Sequence, residues 1–237
     1  MTVRRRLFEL AHPASPAYSP SPVSALPTID LGCGPFKRPG ALGLDIEAGP
    51  GIDHVLDFEK ERLPFDDGTV GYVFSSHCLE HLRQPMPVMR ELTRVAADGA
   101  GLELWLPYGW HNEGQLVDHY VMWNEEQFRH MSELFPEIWW DRLGGGSWEI
   151  EELVFHIEAT TLEDLLRHGD ELVFALRHYR NVARELGVLG RIRKGPRSAV
   201  RKVIPRRTFV TSRGDTVRRE VDAVGPLGQL RRLSKVE

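Results

Sequence analysis

Only two cysteines, Cys33 and Cys78, occur in 237 residues, and their spacing fits no disulfide framework. A small secreted scaffold held together by disulfides is therefore excluded, and two reduced thiols in a cytoplasmic protein are expected. Long apolar runs are also missing: none approaches the roughly 20 residues that a bilayer-spanning helix requires, so no membrane role is expected. The first ten residues, MTVRRRLFEL, carry a basic cluster, but AHPASPAYSPSPVSALP follows instead of an apolar core. This argues against a secretory leader. Residues 11–27 alternate Pro, Ser and Ala and have too little apolar content to fold alone, which fits an arm crossing a domain surface. No internal repeat is visible.

The composition is that of an ordinary globular protein, with 41% hydrophobic and 27% charged residues. The net charge of -4 hides a division. Residues 191–237 hold 14 of the 30 Lys and Arg and four acids, for +10, which leaves -14 on the remainder. An acidic body disfavours a nucleic-acid substrate in a central cleft, because phosphate backbones are gripped by Lys and Arg. The basic segment suits docking on that body, on a second subunit of a homodimer, or on an anionic partner. The expected organisation is an arm at 1–26, a ligand-binding domain at 27–160, a helical extension at 161–190 and a basic tail at 191–237, with a hairpin around Gly214.

Strand-like runs recur at TIDL (28–31), ALGLDI (41–46), IDHVLD (52–57), TVGYVFSS (69–76) and LELWLP (102–107). The fourth is almost continuously apolar, as a strand covered on both faces would be. Between the last two, Val88, Leu92 and Val95 recur at helical spacing before Asp98-Gly99, so the unit is β-α-β and the sheet is parallel. Asn124 with Gln127 three residues on reads as the N-cap pair of a helix reaching Phe135. EIWWDRL (137–143) and ELVFHIEAT (152–160) read as a late antiparallel edge pair. Residues 161–168 and 170–186 read as helices, the second with Leu172, Leu176, Tyr179, Ala183 and Leu186 on one face and Gly187 as its stop.

The stretch TIDLGCGPFKRPGALGLDIE (28–47) places a glycine pair directly behind a strand. A dinucleotide turn would continue to a third glycine and a helix N-terminus; here Phe36 and Lys37 stand in that region, and Asp30 would repel a pyrophosphate. Between Gly34 and Ala41 there is no room for a full crossover helix, since a parallel connection with its helix needs about 10 to 12 residues. The first crossover is expected to shrink to a turn. A ligand with an amine near the turn and ribose hydroxyls near Asp45 fits better than a dinucleotide.

DLGCG, GLDIE, DFEKERLPFDDGTVGYVFSSHCLEHL and MRELTRVAADGAGLELWLP, in this order, resemble the class I S-adenosylmethionine-dependent methyltransferases, in the branch near ubiquinone-type and methyltransferase domain 11 proteins. The resemblance covers roughly residues 27–135. It implies a Rossmann-like α/β sheet, mostly parallel with an antiparallel edge strand and C-terminal helices, and S-adenosyl-L-methionine as cofactor. It further implies that Asp30, Gly32, Cys33 and Gly34 face the methionine moiety, with Lys37 at its carboxylate. Asp45 and Ile46 would take the ribose side, Asp57 and Phe58 the adenine, and Ser76 and His77 would lie beside the sulfonium.

Methyl transfer from a sulfonium starts from an activated donor, so the protein positions the acceptor and, where the acceptor is protonated, supplies a base. Ligands bind past the carboxyl ends of the strands in such sheets, which singles out His77, His81, Tyr108, His111 and His119. His77, Glu80 and His81 share one helical face and read as bracing hydrogen bonds in preference to a metal site, so no metal is expected. The expected activity is methyl transfer to an oxygen or nitrogen of a small molecule, in biosynthesis such as bacterial specialised metabolism or sugar modification. The alternatives are an RNA methyltransferase using the basic tail, and a cofactor-binding protein that transfers no methyl.

Overall fold

The computed structural model describes residues 23 and 25–211. Eight strands form one sheet: β1 (Thr28–Leu31), β2 (Leu42–Asp45), β3 (His54–Val55), β4 (Val70–Ser76), β5 (Ala96–Pro107), β6 (Gly146–Ile157), β7 (Glu185–Lys194) and β8 (Arg206–Thr211). Their order across the sheet is β3-β2-β1-β4-β5-β7-β6-β8. Every pairing is parallel except those of β7, which runs antiparallel to both β5 and β6. The helices are α1 (Pro85–Val95), α2 (Glu125–Arg129), α3 (Pro136–Arg142), α4 (Ala159–His168) and α5 (Leu172–His178).

The first four strand runs and α1 stand where their patterns place them. Pro85 opens α1, where its missing N–H costs nothing. Val88, Leu92 and Val95 are buried along its inner face. Helix α2 opens with the Asn124–Gln127 capping box, each side chain serving the other's end of the turn, and widens into a π-helical turn at His130–Leu134. The connection from Gly32 to Ala41 contains turns only, as its length requires.

Three expectations are corrected. EIWWDRL forms helix α3, not a strand: Pro136 again supplies an N-terminal first turn, Trp139 packs against the apolar core, and the Trp140 indole N–H donates to the Gly195 carbonyl at 3.2 Å. The helix expected over 170–186 stops at His178, Asn181 takes a left-handed φ of 58°, and β7 begins at Glu185. Gly187 is no helix stop; a Cβ there would come within 2.7 Å of the Trp105 ring on neighbouring β5. Finally, the antiparallel strand is interior, because β6 and β8 add beyond it. The borders expected at 160/161 and 190/191 fall inside α4 and β7. The hairpin around Gly214 lies outside the described residues.

Two apolar clusters flank the sheet. The larger joins Ile29, Leu31, Leu44, Val73, Leu104, Phe155 and Val188 to buried residues of the helices, including Leu92, Phe128, Leu165 and Leu176. Each such side chain contributes about 1.5–3 kcal/mol on burial. The smaller, on the other face, comprises Tyr72, Phe74, Trp105, Val154 and Leu189. Among the described residues no helix contributes to it. The described part of the basic segment is bound into this architecture: Arg191 pairs with Glu151, Arg193 and Arg201 with Glu149, and Arg206 with Glu152, all acids of β6.

Candidate active site

The carboxyl ends of β1 and β2 meet in the glycine turn. Gly32 and Gly34 hold φ values of 68° and 52°, conformations that L side chains rarely adopt, and a Cβ on Gly32 would overlap the Cys78 side chain. At Gly34 a Cβ would meet nothing within 4 Å, so the tip of the turn is open. Asp45 ties this turn together: Oδ2 accepts from the Gly34 N–H at 2.8 Å and Oδ1 from the Glu47 N–H at 3.1 Å. Asp30 lies beneath, 2% exposed, accepting from the Arg38 N–H at 2.7 Å. Burial pushes its carboxyl up to about 6, against the opposing pull of the Arg38 N–H and of the Arg38 and Lys37 charges.

Cys78 connects this turn to a second group of polar residues, at the end of β4. His77, one residue earlier, has a left-handed φ of 52° while its N–H donates to the Trp105 carbonyl at 2.9 Å. Such strain persists where surrounding contacts enforce it. Here Nε2 meets Glu185 Oε1 at 2.6 Å and Nδ1 lies 3.4 Å from Glu80 Oε1. Desolvation would lower the His77 pKa, but the ring is half exposed, and the Glu185 hydrogen bond with the nearby Glu185 and Glu80 carboxylates prevails and raises it to about 10. Glu185 also lies 3.6 Å from His156 Nδ1. Glu80 sits in a 3₁₀ turn (Leu79–His81) with 0% exposure. His81 Nδ1 donates to the Asp118 carbonyl at 3.0 Å, and its ring packs edge-on against His119, 4.8 Å between centroids. Burial lowers the pKa of His119 and keeps the ring neutral.

Residues 45–102 match the family model of the methyltransferase domain. Over that stretch the chain is similar to S-adenosylmethionine-dependent methyltransferases, and its sheet has the fold of the class I enzymes. A methyltransferase structure from Archaeoglobus fulgidus aligns with TM-score 0.51 at 14% identity, over 70% of this chain and 86% of that one, which supports the fold. One from Mesorhizobium loti aligns at 0.44 and 19% over 70% and 90%. Among curated proteins, ajmaline N-methyltransferase of Rauvolfia serpentina is 38% identical over 60 residues. That segment is 25% of this chain, and this chain spans only 19% of the relative's length.

Asp30, Gly32, Cys33, Gly34, Asp45, Ser76 and His77 lie at or just past the carboxyl ends of β1, β2 and β4. Ile46 follows Asp45 with its side chain 60% exposed, available as an apolar face. Cys33 is no nucleophile, since burial, reinforced by Asp30 and Asp45, pushes its thiol up to about 12. Several expected roles do not fit the geometry. Lys37 is held by Asp53 at 2.7 Å, on the same oxygen that accepts the Gly43 N–H. Asp57 caps its own turn, accepting from the Glu59 N–H and pairing with Lys60, and Phe58 is buried in the larger core. Tyr108 is 1% exposed and donates to Glu125 at 2.6 Å. His111 is the N-cap of the 3₁₀ turn Asn112–Gln115, its Nδ1 accepting from the Glu113 N–H.

That leaves His77, His81 and His119 together, joined by Glu80. Sequence reasoning missed Glu185 and His156. Glu185 opens an alternating run, ELGVLGRI, whose strand character was masked by an accidental helical stripe.

Proposed function

We propose that the domain transfers a methyl group from S-adenosylmethionine to an oxygen or nitrogen of a small molecule. S-adenosylmethionine supplies an electrophilic methyl on a positively charged sulfur. Asp45 is the acceptor for the ribose hydroxyls, Ile46 the apolar face for the base, and the Gly32–Gly34 turn with Asp30 the seat of the methionine end. His77, a cation fixed by Glu80 and Glu185, orients the floor of the acceptor pocket and is not the base. His81 and His119 are the base candidates; burial lowers the His119 pKa, which suits a general base that must be unprotonated at working pH.

The observation that carries this reading is the contact of Cys78 with Gly32, which brings the turn and the histidine cluster side by side. The RNA alternative loses support because Arg191, Arg193, Arg201 and Arg206 are already paired with β6 acids. No described helix is long and apolar enough to cross a membrane. A cytoplasmic enzyme of biosynthesis, acting alone or as a homodimer, is consistent with these features.

Calorimetry with S-adenosylhomocysteine tests the cofactor half. Asp45→Ala should weaken binding by about 1.5–3 kcal/mol, the value of a hydrogen bond to a charged group. Unchanged affinity in a folded variant would remove Asp45 from the site.

A further inference from the structure

The cluster past β4 distinguishes between acceptor classes, on the reading above that it forms the acceptor end of the site. Neither oxygen of the fully buried Glu80 has a hydrogen-bond partner, and Nδ1 of His119 is buried without one. With Nδ1 of His81 committed to the Asp118 carbonyl, its Nε2 is the lone-pair nitrogen, 3.9 Å from Glu80 Oε1. One ligand atom from each of Glu80, His81 and His119 lies within 4.8 Å of the other two. Apart from the His77 ring, whose Nδ1 lies 3.4 Å from Glu80 Oε1, these three groups present acceptors to whatever enters between them. Buried polar groups are ordinarily partnered, so this set calls for a ligand that brings N–H groups or a positive charge.

Charge and spacing narrow the ligand. Glu185 is met by His77 and lies 3.6 Å from His156, so the buried acid that faces the trio is Glu80. A phenolate or carboxylate acceptor would be repelled there; a protonated amine would be drawn in. Three acceptors arranged tetrahedrally around an ammonium, at about 2.8 Å each, stand about 4.6 Å apart. Around a zinc-sized ion at about 2.1 Å they would stand only about 3.4 Å apart. The His81 Nε2–Glu80 Oε1 separation of 3.9 Å, within a trio spread over no more than 4.8 Å, is wider than the zinc spacing and leaves room for an ammonium.

We propose that Glu80, His81 and His119 bind a primary or secondary amine, so that nitrogen is the methyl acceptor, and that His119 takes its proton. The proton passes from the ammonium nitrogen to His119 Nδ1. The electron pair of the broken N–H bond stays on nitrogen as the nucleophilic lone pair, and Glu80 accepts from an N–H that remains. Burial, which holds the His119 ring below its ordinary pKa, keeps it neutral as the amine arrives.

The test is a titration of methylammonium chloride into protein saturated with S-adenosylhomocysteine, following the imidazole NMR signals of His81 and His119. Both signals should shift saturably with methylammonium and not with sodium acetate. Glu80→Gln should weaken methylammonium about 10- to 100-fold, as loss of a charged hydrogen-bond partner does, with S-adenosylhomocysteine affinity retained. Absence of a saturable shift, or an equal response to acetate, overturns the proposal. So does selective broadening of these signals by Mn2+ without a methylammonium response, which would make the trio a metal site. The acetate contrast needs no variant and holds even if Glu80→Gln fails to fold. Failure of S-adenosylhomocysteine to bind, measured separately, would instead remove the underlying methyltransferase reading.

Discussion

Asp45 and Glu80 are both acids at the carboxyl ends of the sheet, and they are treated in opposite ways. Asp45 is met by the N–H groups of Gly34 and Glu47 and fixes a turn built from one continuous stretch of chain. Glu80 is buried with neither oxygen hydrogen-bonded, among groups from β4, β7 and the loop after β5. The first arrangement is preorganised and complete in its protein contacts. The second is complete only when something with a proton to give or a charge to share enters it. On the reading proposed above, the first corner holds the cofactor and the second handles the acceptor.

The sharpest way to break that division is His119→Ala. Loss of a general base should lower turnover about 10²- to 10⁴-fold. Affinity for S-adenosylhomocysteine, measured by calorimetry, should be unchanged. A parallel fall in affinity would mean that the two corners act as one.

Asp30→Asn probes the cofactor corner through stability. Asp30 titrates at about 6 in the fold against 3.8 as its ordinary value, so folding favours the protonated form. Its contribution is present below pH 3.8 and is lost as pH rises through about 6. Above that, the buried carboxylate opposes folding by up to about 3 kcal/mol, at 1.36 kcal/mol per unit. Asparagine retains an oxygen for the Arg38 N–H, so urea unfolding at pH 8 should show a stabilised variant that binds cofactor less tightly. A destabilised variant would show that the ionised group has a partner worth more than its desolvation.

His77→Gln should show as a change of slope in stability against pH. The fold raises the His77 pKa from 6.5 to about 10, so its stabilising contribution is full below pH 6.5 and declines as pH rises through about 10. The wild type should lose stability over that window, and the variant should lose less. Identical pH profiles would mean that Glu80 and Glu185 do not hold His77 as a cation.

Much of the cofactor corner was legible because its signals are local. Gly32 and Gly34 are needed where φ is positive, Asp45 closes a turn eleven residues from Gly34, and the Asn124–Gln127 pair caps its own helix. The acceptor corner was not legible in the same way. Tyr108 and His111 carry suitable chemistry but are spent on Glu125 and on a helix cap, while Glu185 was hidden by side chains that happen to recur at helical spacing.

The sequence by itself determined the parallel strands β1 to β4, the helix between β4 and β5, the shortened first crossover and the glycine turn. Each depends on backbone conformation and periodicity within a few residues. Only the tertiary structure decided that residues 185–194 run as an interior antiparallel strand, because that choice rests on pairing with β5 and β6 and on Trp105 filling the space above Gly187. The same pairing delivers Glu185 to His77, and the loop after β5 delivers His119 to Glu80. Charges and lone pairs brought together from positions 39 to 108 residues apart acquire their character only from one another, and no local stretch of sequence records that.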